Sequence, residues 1–370
     1  MKKIEIFKLI KIIKFCEGIR NLQLNEKLKM FEEVFAPKSG EKILILVDIP
    51  HNNIHDNETW KKRREMAKEW YESFKEMGKK IGFTVDFQKY NATGLQNNPI
   101  PKDVLNKADD ANLVIAMTEY SGSSSFVALC NKKDSNIRIV SMPGAEKRME
   151  KTAFRANYAE VNSYANSIKK MLTKAVGAEI IFSTGDTLFI DLRNRKGMAD
   201  IGDCSKTGQF INFPSGEGFI APYEGAPDEI EKYGESKTKG ILPDNQHDNL
   251  MKYRVEKNKI IEAIGTGKKV EERRKFFNKN DTRRNIAELG IGCNPRAVVT
   301  GNTLEDEKVG GLHIAYGNSD HIGGKTKSDL HIDICFPKGL PAEAKTLTLI
   351  NDDNSKIELI RNSRLRYELL

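Results

Sequence analysis

An α/β first half followed by a strand-rich α+β second half is the fold class that the sequence predicts, and three observations predict it. Apolar runs of buried-strand type alternate with segments of helical spacing as far as about residue 175. Beyond about residue 178 the rhythm changes to short strands separated by turns. With 370 residues, 39% hydrophobic and 30% charged, the chain has enough material for two ordinary domains and lacks the composition of a disordered tail or the period of a solenoid. The expected division is an N-terminal helical segment over 1–40, an α/β domain over 41–178, and an α+β domain over 179–370 that carries the chemistry.

The opening "MKKIEIFKLIKIIKF" has lysines every three residues or so, which leaves no uncharged core of a signal peptide and no cleavage site. It reads as a first helix packed on the body of the protein, with a basic amphipathic helix on a membrane surface as the alternative. No later segment approaches the roughly 20 apolar residues of a membrane span, so no integral insertion is expected. "KILILVDIP" from Lys42 is a continuous buried strand. Trp60, Ala67, Trp70, Phe74 and Met77 then recur at helical spacing, and "FTVDF", "ANLVIAM" and "IRIVSMPG" repeat the strand signal. "SGSSS" at 121–125 is a loop just after a strand end. Phe154, Tyr158, Val161, Ala165, Ile168 and Leu172 form one stripe, which predicts a helix over 152–175. The second half offers "EIIFS", "TLFIDL", "GEGFIAP", "MKYRVEK", "KIIEAIG", "GLHIAYG", "LHIDICF" and "TLTLI" as strands, with one helix near 268–277.

The net charge of +8 arises from 60 Lys and Arg against 52 Asp and Glu spread along the chain, and the densest basic stretch, "KKVEERRK", intersperses glutamates at helical spacing. No nucleic-acid partner is expected. Five cysteines without a CxxC pair exclude a disulfide framework and a structural zinc knuckle, and fit a reducing cytoplasm.

The chemistry concentrates near the end. Three of the six histidines, His313, His321 and His331, lie within nineteen residues. In "DLHIDICF", Leu330, Ile332, Ile334 and Phe336 share one side of an extended chain, which leaves His331, Asp333 and Cys335 on the other. "GLHIAYG" has the same logic, with Leu312, Ile314 and Tyr316 opposite His313. Two such strands side by side present His313, His331 and Asp333 to a common space, where a divalent cation or an Asp–His hydrogen-bonded pair would offset the cost of a buried carboxylate. Glu217 in "NFPSGEGFIAP" and Glu288 in "NIAELGIGCNP" are each the only charge of a turn-forming, apolar stretch, and each serves as a ligand or as a turn carboxylate.

These motifs resemble the thermophilic-type metallo-aminopeptidases, the family of aminopeptidase T and aminopeptidase S. The resemblance rests on "FPSGEGFIAPYEG", "NIAELGIGCNP", "EDEKVGGLHIAYG" and "SDLHIDICF" in the family's order, and weaker similarity such as "RIVSMPG" extends it over roughly residues 40 to 336. It implies a homodimer hydrolysing peptides or small amides with two divalent metals, zinc or cobalt, in the second domain. The implied ligands are Glu217, Glu288, His313, His331 and Asp333, three carboxylates and two imidazoles, a donor set that suits a metal pair. Glu224 is the implied proton shuttle for a metal-activated water. The acidic stretch before His313, with Glu307 nearest, is assigned to a substrate amino group, to a supporting role, or to a solvated turn.

One departure stands out. The family has a tyrosine seven residues after its first metal histidine, and here that position is Asp320. A carboxylate cannot donate to an oxyanion unless protonated. His321 is the candidate replacement, since Tyr316 shares a strand face with Leu312 and Ile314. Two other classes stand beside the hydrolase: the resemblance also implies a dioxygenase of the same broad superfamily that opens dihydroxypyridine rings with one Fe(II), which His313, His331 and Asp333 would hold, and the missing tyrosine points to a non-catalytic metal- or peptide-binding relative.

Overall fold

A computed structural model describes residues 20–245 and 250–370. The lysine-rich opening expected to form a basic helix lies outside them, and the described part of the N-terminal segment contains the helix Leu24–Phe35.

Five parallel strands build the first sheet, in the order Thr84–Asn91, Lys42–Ile49, Leu113–Ala116, Arg138–Ser141 and Phe210–Asn212. Ile43 to Val47 are buried throughout because helices cover both faces of the sheet. The helix Glu58–Ile81 begins where the Asn57 side chain accepts the Trp60 N–H, and it stops at Gly82, whose φ of 95° continues the chain without a Cβ clash. Its buried stripe of Met66, Ala67, Trp70, Phe74 and Met77 packs with Phe31 and Phe35 of the first helix. The last parallel strand, Phe210–Asn212, comes from beyond residue 178, so the chain returns to the first sheet after the rhythm of its sequence has changed.

The helix expected over 152–175 begins at Tyr158. Asn157 accepts the Ala159 N–H and sets that start, while Lys147–Lys151 and Ala153–Arg155 form tight 3-10 turns instead.

The second half is strand-rich, as predicted, and antiparallel. One sheet of eight strands runs in the order Lys259–Ile264, Met251–Glu256, Lys239–Asp244, Thr187–Asp191, Ala175–Phe182, Ala344–Asn351, Lys356–Arg361 and Arg364–Leu365. The other has five, in the order His331–Cys335, Gly311–Gly317, Ile286–Gly292, Glu217–Ile220 and Met198–Asp200. Ile220, Leu289, Ile291, Leu312, Ile314, Tyr316 and Ile334 from this last sheet share one core with Ala178, Ile180, Phe182, Leu347 and Leu349 from the larger one. The helix Tyr158–Lys174 closes the same face, and Gly218 permits the approach, since a Cβ there would lie 2.5 Å from Ile168. Among the described residues no helix is long and apolar enough to cross a membrane.

Candidate metal centre

The register of the five-stranded sheet determines what its other face carries. Glu217 stands opposite Asp200 and Gly292, Gly290 opposite His313, and Ala315 opposite both Glu288 and Asp333. Directly opposed residues share a face. One side of the sheet is thus core, and the other bears Asp200, Glu217, Glu288, His313, His331 and Asp333 side by side.

The strand Ile286–Gly292 explains how they fit. Glu288, Gly290 and Gly292 alternate on the polar face. A Cβ on Gly290 would lie 1.9 Å from His313 Nε2, so this glycine makes the space in which the imidazole lies. A Cβ on Gly292 would lie 2.3 to 2.7 Å from main-chain atoms of Glu307, Lys308 and Val309, which cross directly above it. That crossing brings Lys308 into the cluster, a residue that no motif singled out.

Two donor groups result. Glu217, Glu288 and His313 form one and Glu288, His331 and Asp333 the other, with a candidate ligand atom from every member within 4.8 Å of the rest of its group. His313 Nε2 lies 3.2 Å from Glu288 Oε1 and 3.3 Å from Glu217 Oε2, while His331 Nε2 lies 3.3 Å from Glu288 Oε2 and 3.6 Å from Asp333 Oδ1. Glu288 therefore gives one oxygen to each imidazole. His331 Nδ1 donates to the Asn318 carbonyl at 2.6 Å, which directs its Nε2 into the cluster, whereas the buried His313 Nδ1 has no partner among the described residues.

Charge is dense here. Lys308 is fully buried, its Nζ 2.5 Å from Glu217 Oε1, 3.0 Å from Glu307 and 3.7 Å from the buried Asp200 carboxylate. Burial pulls the His313 pKa down, but Glu288 and Glu217 outweigh it and raise it to about 9. Burial likewise opposes, and Asp333 and Glu288 overcome it, in holding the His331 imidazolium well above its usual range. Glu288 and Asp333 are kept below the ordinary carboxylate range by these histidines, against their burial. Glu307 is pushed up to about 8 and Asp200 to about 7, in both cases by burial that the nearby Lys308 only partly offsets. Protons and one ammonium thus provide the compensation that divalent cations would provide in a loaded site. The donor set of carboxylate oxygens and imidazole nitrogens fits zinc, cobalt or ferrous iron.

The remaining candidates are distributed unevenly. Glu224 joins neither donor group. Its oxygens accept from Ser319 Oγ at 2.5 Å, Asn285 Nδ2 at 2.9 Å and the Lys325 and Thr326 N–H groups, so it fastens the loop before His331. His321 lies against His331, ring centroids 5.0 Å apart. Burial and the His331 charge lower its pKa. Asn318 Oδ1 accepts the Ser328 N–H, which turns its Nδ2 towards Asp320 Oδ1 and His321 Nδ1 and leaves the His321 proton on Nε2. Tyr316 is fully buried in the core, its hydroxyl accepting from Arg273. The acidic stretch before His313 is not a solvated turn. Glu305 accepts from Thr152 Oγ1 at 2.5 Å and from Arg148, and Asp306 accepts the Thr300 and Gly301 N–H groups, so of the three acids only Glu307 reaches the cluster.

No protein-family profile matches the sequence. No curated protein matches it either. Among solved structures, the chain is similar to 2,5-dihydroxypyridine dioxygenase from Pseudomonas putida KT2440, at 16% identity and a TM-score of 0.66 over 93% of this chain and 98% of that one. It is similar also to wild-type AmpT from Thermus thermophilus, at 14% identity and a TM-score of 0.60 over 92% of this chain and 98% of that one. The chain shares its overall fold with a dioxygenase and with AmpT.

Proposed function

We propose that this chain is a metal-dependent hydrolase of the aminopeptidase kind, acting on peptides or small amides with two divalent cations, zinc or cobalt. The observation that carries the reading is the shared carboxylate: Glu288 offers one oxygen to the Glu217–His313 side and the other to the His331–Asp333 side. Charge balance favours the same count. Asp200, Glu217, Glu288, Glu307 and Asp333 share the cluster with one lysine, and two divalent cations would take the place of the protons that the raised carboxyls and imidazoles hold without them. When bound, such a pair supplies Lewis acidity and a water that ionises near neutral pH.

The chain's own residues do the rest. The Asn318 carbonyl holds His331 with its Nε2 inward. His321, its proton on Nε2, donates to the developing oxyanion in place of the tyrosine found in the aminopeptidase family. Asp320 accepts from Asn318 and cannot take that part. Because Glu224 already accepts four hydrogen bonds, the proton shuttle passes to Glu307, whose carboxyl stands 3.0 Å from the Lys308 ammonium beside the donor groups. On the resemblance to the same family we propose a homodimer, which sedimentation of the purified protein tests, and the five cysteines without a CxxC pair support a reducing cytoplasm.

A second reading, ring opening by a dioxygenase with one ferrous ion, is favoured by Lys308, which already neutralises Glu217 and so lessens the need for a second metal. Metal analysis combined with two assays separates the readings. The hydrolase predicts two zinc or cobalt ions per chain and cleavage of amino-acid anilides that chelators and His331→Ala abolish. One iron per chain, with oxygen uptake on a dihydroxypyridine and no anilide cleavage, would establish the second reading instead.

A further inference from the structure

The two donor groups share Glu288 but not their surroundings, and Lys308 is the difference. Its main chain is laid over Gly292, and its ammonium, without solvent exposure, is bonded to Glu217 Oε1 at 2.5 Å. Glu217 belongs to one donor group only and has only its other oxygen, Oε2, turned to His313. A fixed positive charge in contact with one member of a donor group disfavours a cation in that group most, because in a buried setting the repulsion is weakly screened. Asp200, paired across the sheet with Glu217 and 3.7 Å from the ammonium, counters part of that charge from behind.

We propose that Lys308 makes the two donor groups unequal, so that Glu288–His331–Asp333 takes its cation first and tightly, and Glu217–Glu288–His313 takes the second weakly, with Asp200 setting how weakly. This rests on the metal centre proposed above and deepens it: Lys308 and Asp200 are positioning residues that act through Glu217. It gives the protein a range of metal concentration in which it holds a single cation.

The test is titration of the full-length, chelator-stripped protein with cobalt(II) at about pH 8, where deprotonated donors bind best, followed by calorimetry and metal counting. Wild type should show two steps separated by about tenfold or more, and Glu217→Gln should identify the weaker step by abolishing it. Lys308→Met keeps the length and removes the charge. It should tighten the weaker step by roughly ten- to a hundredfold, the range commanded by groups just behind a ligand, and leave the tighter one in place. Asp200→Asn should move the weaker step in the opposite direction. A residue needed only for structure would weaken binding in both variants, so opposite signs are the discriminating result. One cobalt in wild type and two in Lys308→Met also supports the proposal. Equal steps in wild type, one cobalt in both proteins, or a weaker step that Lys308→Met fails to tighten overturns it while leaving the metal centre standing. Absence of cobalt binding in every protein removes the metal centre itself. If Lys308→Met does not fold, Asp200→Asn against Lys308→Arg, which should keep the wild-type steps, carries the same decision.

Discussion

The Glu217–Glu288–His313 side and the Glu288–His331–Asp333 side have nearly the same donors and different physics. On the first, His313 is 1% exposed, its Nδ1 has no partner among the described residues, and the Lys308 ammonium stands against Glu217. On the second, the His331 and Asp333 side chains keep 16% and 15% exposure, and a carbonyl orients the imidazole. Identity of ligands thus does not fix the behaviour of a site. The first side is governed by charges buried with it and the second by access, so water and substrate are expected to arrive beside His331 and His321.

The shared carboxylate offers the strongest way to break this comparison. Glu288→Gln removes a charged oxygen from both sides at once and is expected to lower metal affinity by more than about a hundredfold, beyond what groups behind a ligand command. Metal analysis after gel filtration decides, and retention of two tightly held metals would show that Glu288 does not join the groups.

A substitution at Gly290 separates the sides. A Cβ 1.9 Å from His313 Nε2 must displace the ring. Gly290→Ala should therefore empty the buried side and spare the His331 side, leaving one metal per chain, at a stability cost of about 1 to 3 kcal/mol typical of overpacking. Thermal melting and metal counting together check it.

Protonation sharpens the comparison further. With its pKa raised from 6.5 to about 9, His313 holds a proton at neutral pH that a cation must displace. Affinity of the buried side should rise by about tenfold per pH unit for each proton displaced and level off above about pH 9. Calorimetry in buffers of different ionisation heat counts the protons released, and a flat profile from neutrality to pH 9 would contradict the assigned charge. In the chelated protein the same raised value is a source of stability, fully present below pH 6.5 and lost as the pH rises through about 9. The smallest effect concerns the open side. Asp320→Tyr places next to His321 the tyrosine that the aminopeptidases carry and, on the proposed hydrolase reading, should raise anilide hydrolysis several-fold, since one oxyanion donor is commonly worth ~10²- to 10³-fold and His321 would already supply part of it. Unchanged turnover would mean that the loop does not bring residue 320 to the reacting carbonyl.

Much of the face that carries these groups was legible because a strand alternates with a strict period of two. Leu312, Ile314 and Tyr316 against His313, and Ile332 and Ile334 against His331 and Asp333, state in the sequence which side is core. Glu288 was visible as a lone charge, but the strand carrying it was not, because the two glycines of "ELGIG" read as a turn. They are small because an imidazole and a crossing main chain occupy the space where their side chains would be. Lys308 and Asp200 were hidden for a different reason. Lys308 follows a run of three acids and Asp200 lies in a strand only three residues long, and only the pairing of Met198–Asp200 with Glu217 and the crossing over Gly292 turns them inward. The strand Phe210–Asn212, three residues long, is too short to announce a return to the parallel sheet.

The loop that delivers Lys308 is held from far away in sequence. Arg148 donates to Glu305 across 157 residues and to Thr300 across 152, Thr152 donates to Glu305, and Asn302 Nδ2 donates to the Gly144 carbonyl at 2.8 Å. During synthesis these clasps close only after most of the chain has left the ribosome, since contacts of such separation bear the largest loop-closure cost. A nascent chain that meets a metal before then offers it the carboxylates and imidazoles without the internal ammonium. A fragment starting at residue 179 would remain in that state permanently. It would contain Glu217, Glu288, His313, His331 and Asp333, yet nothing from residues 144–152 would hold Lys308 against Glu217.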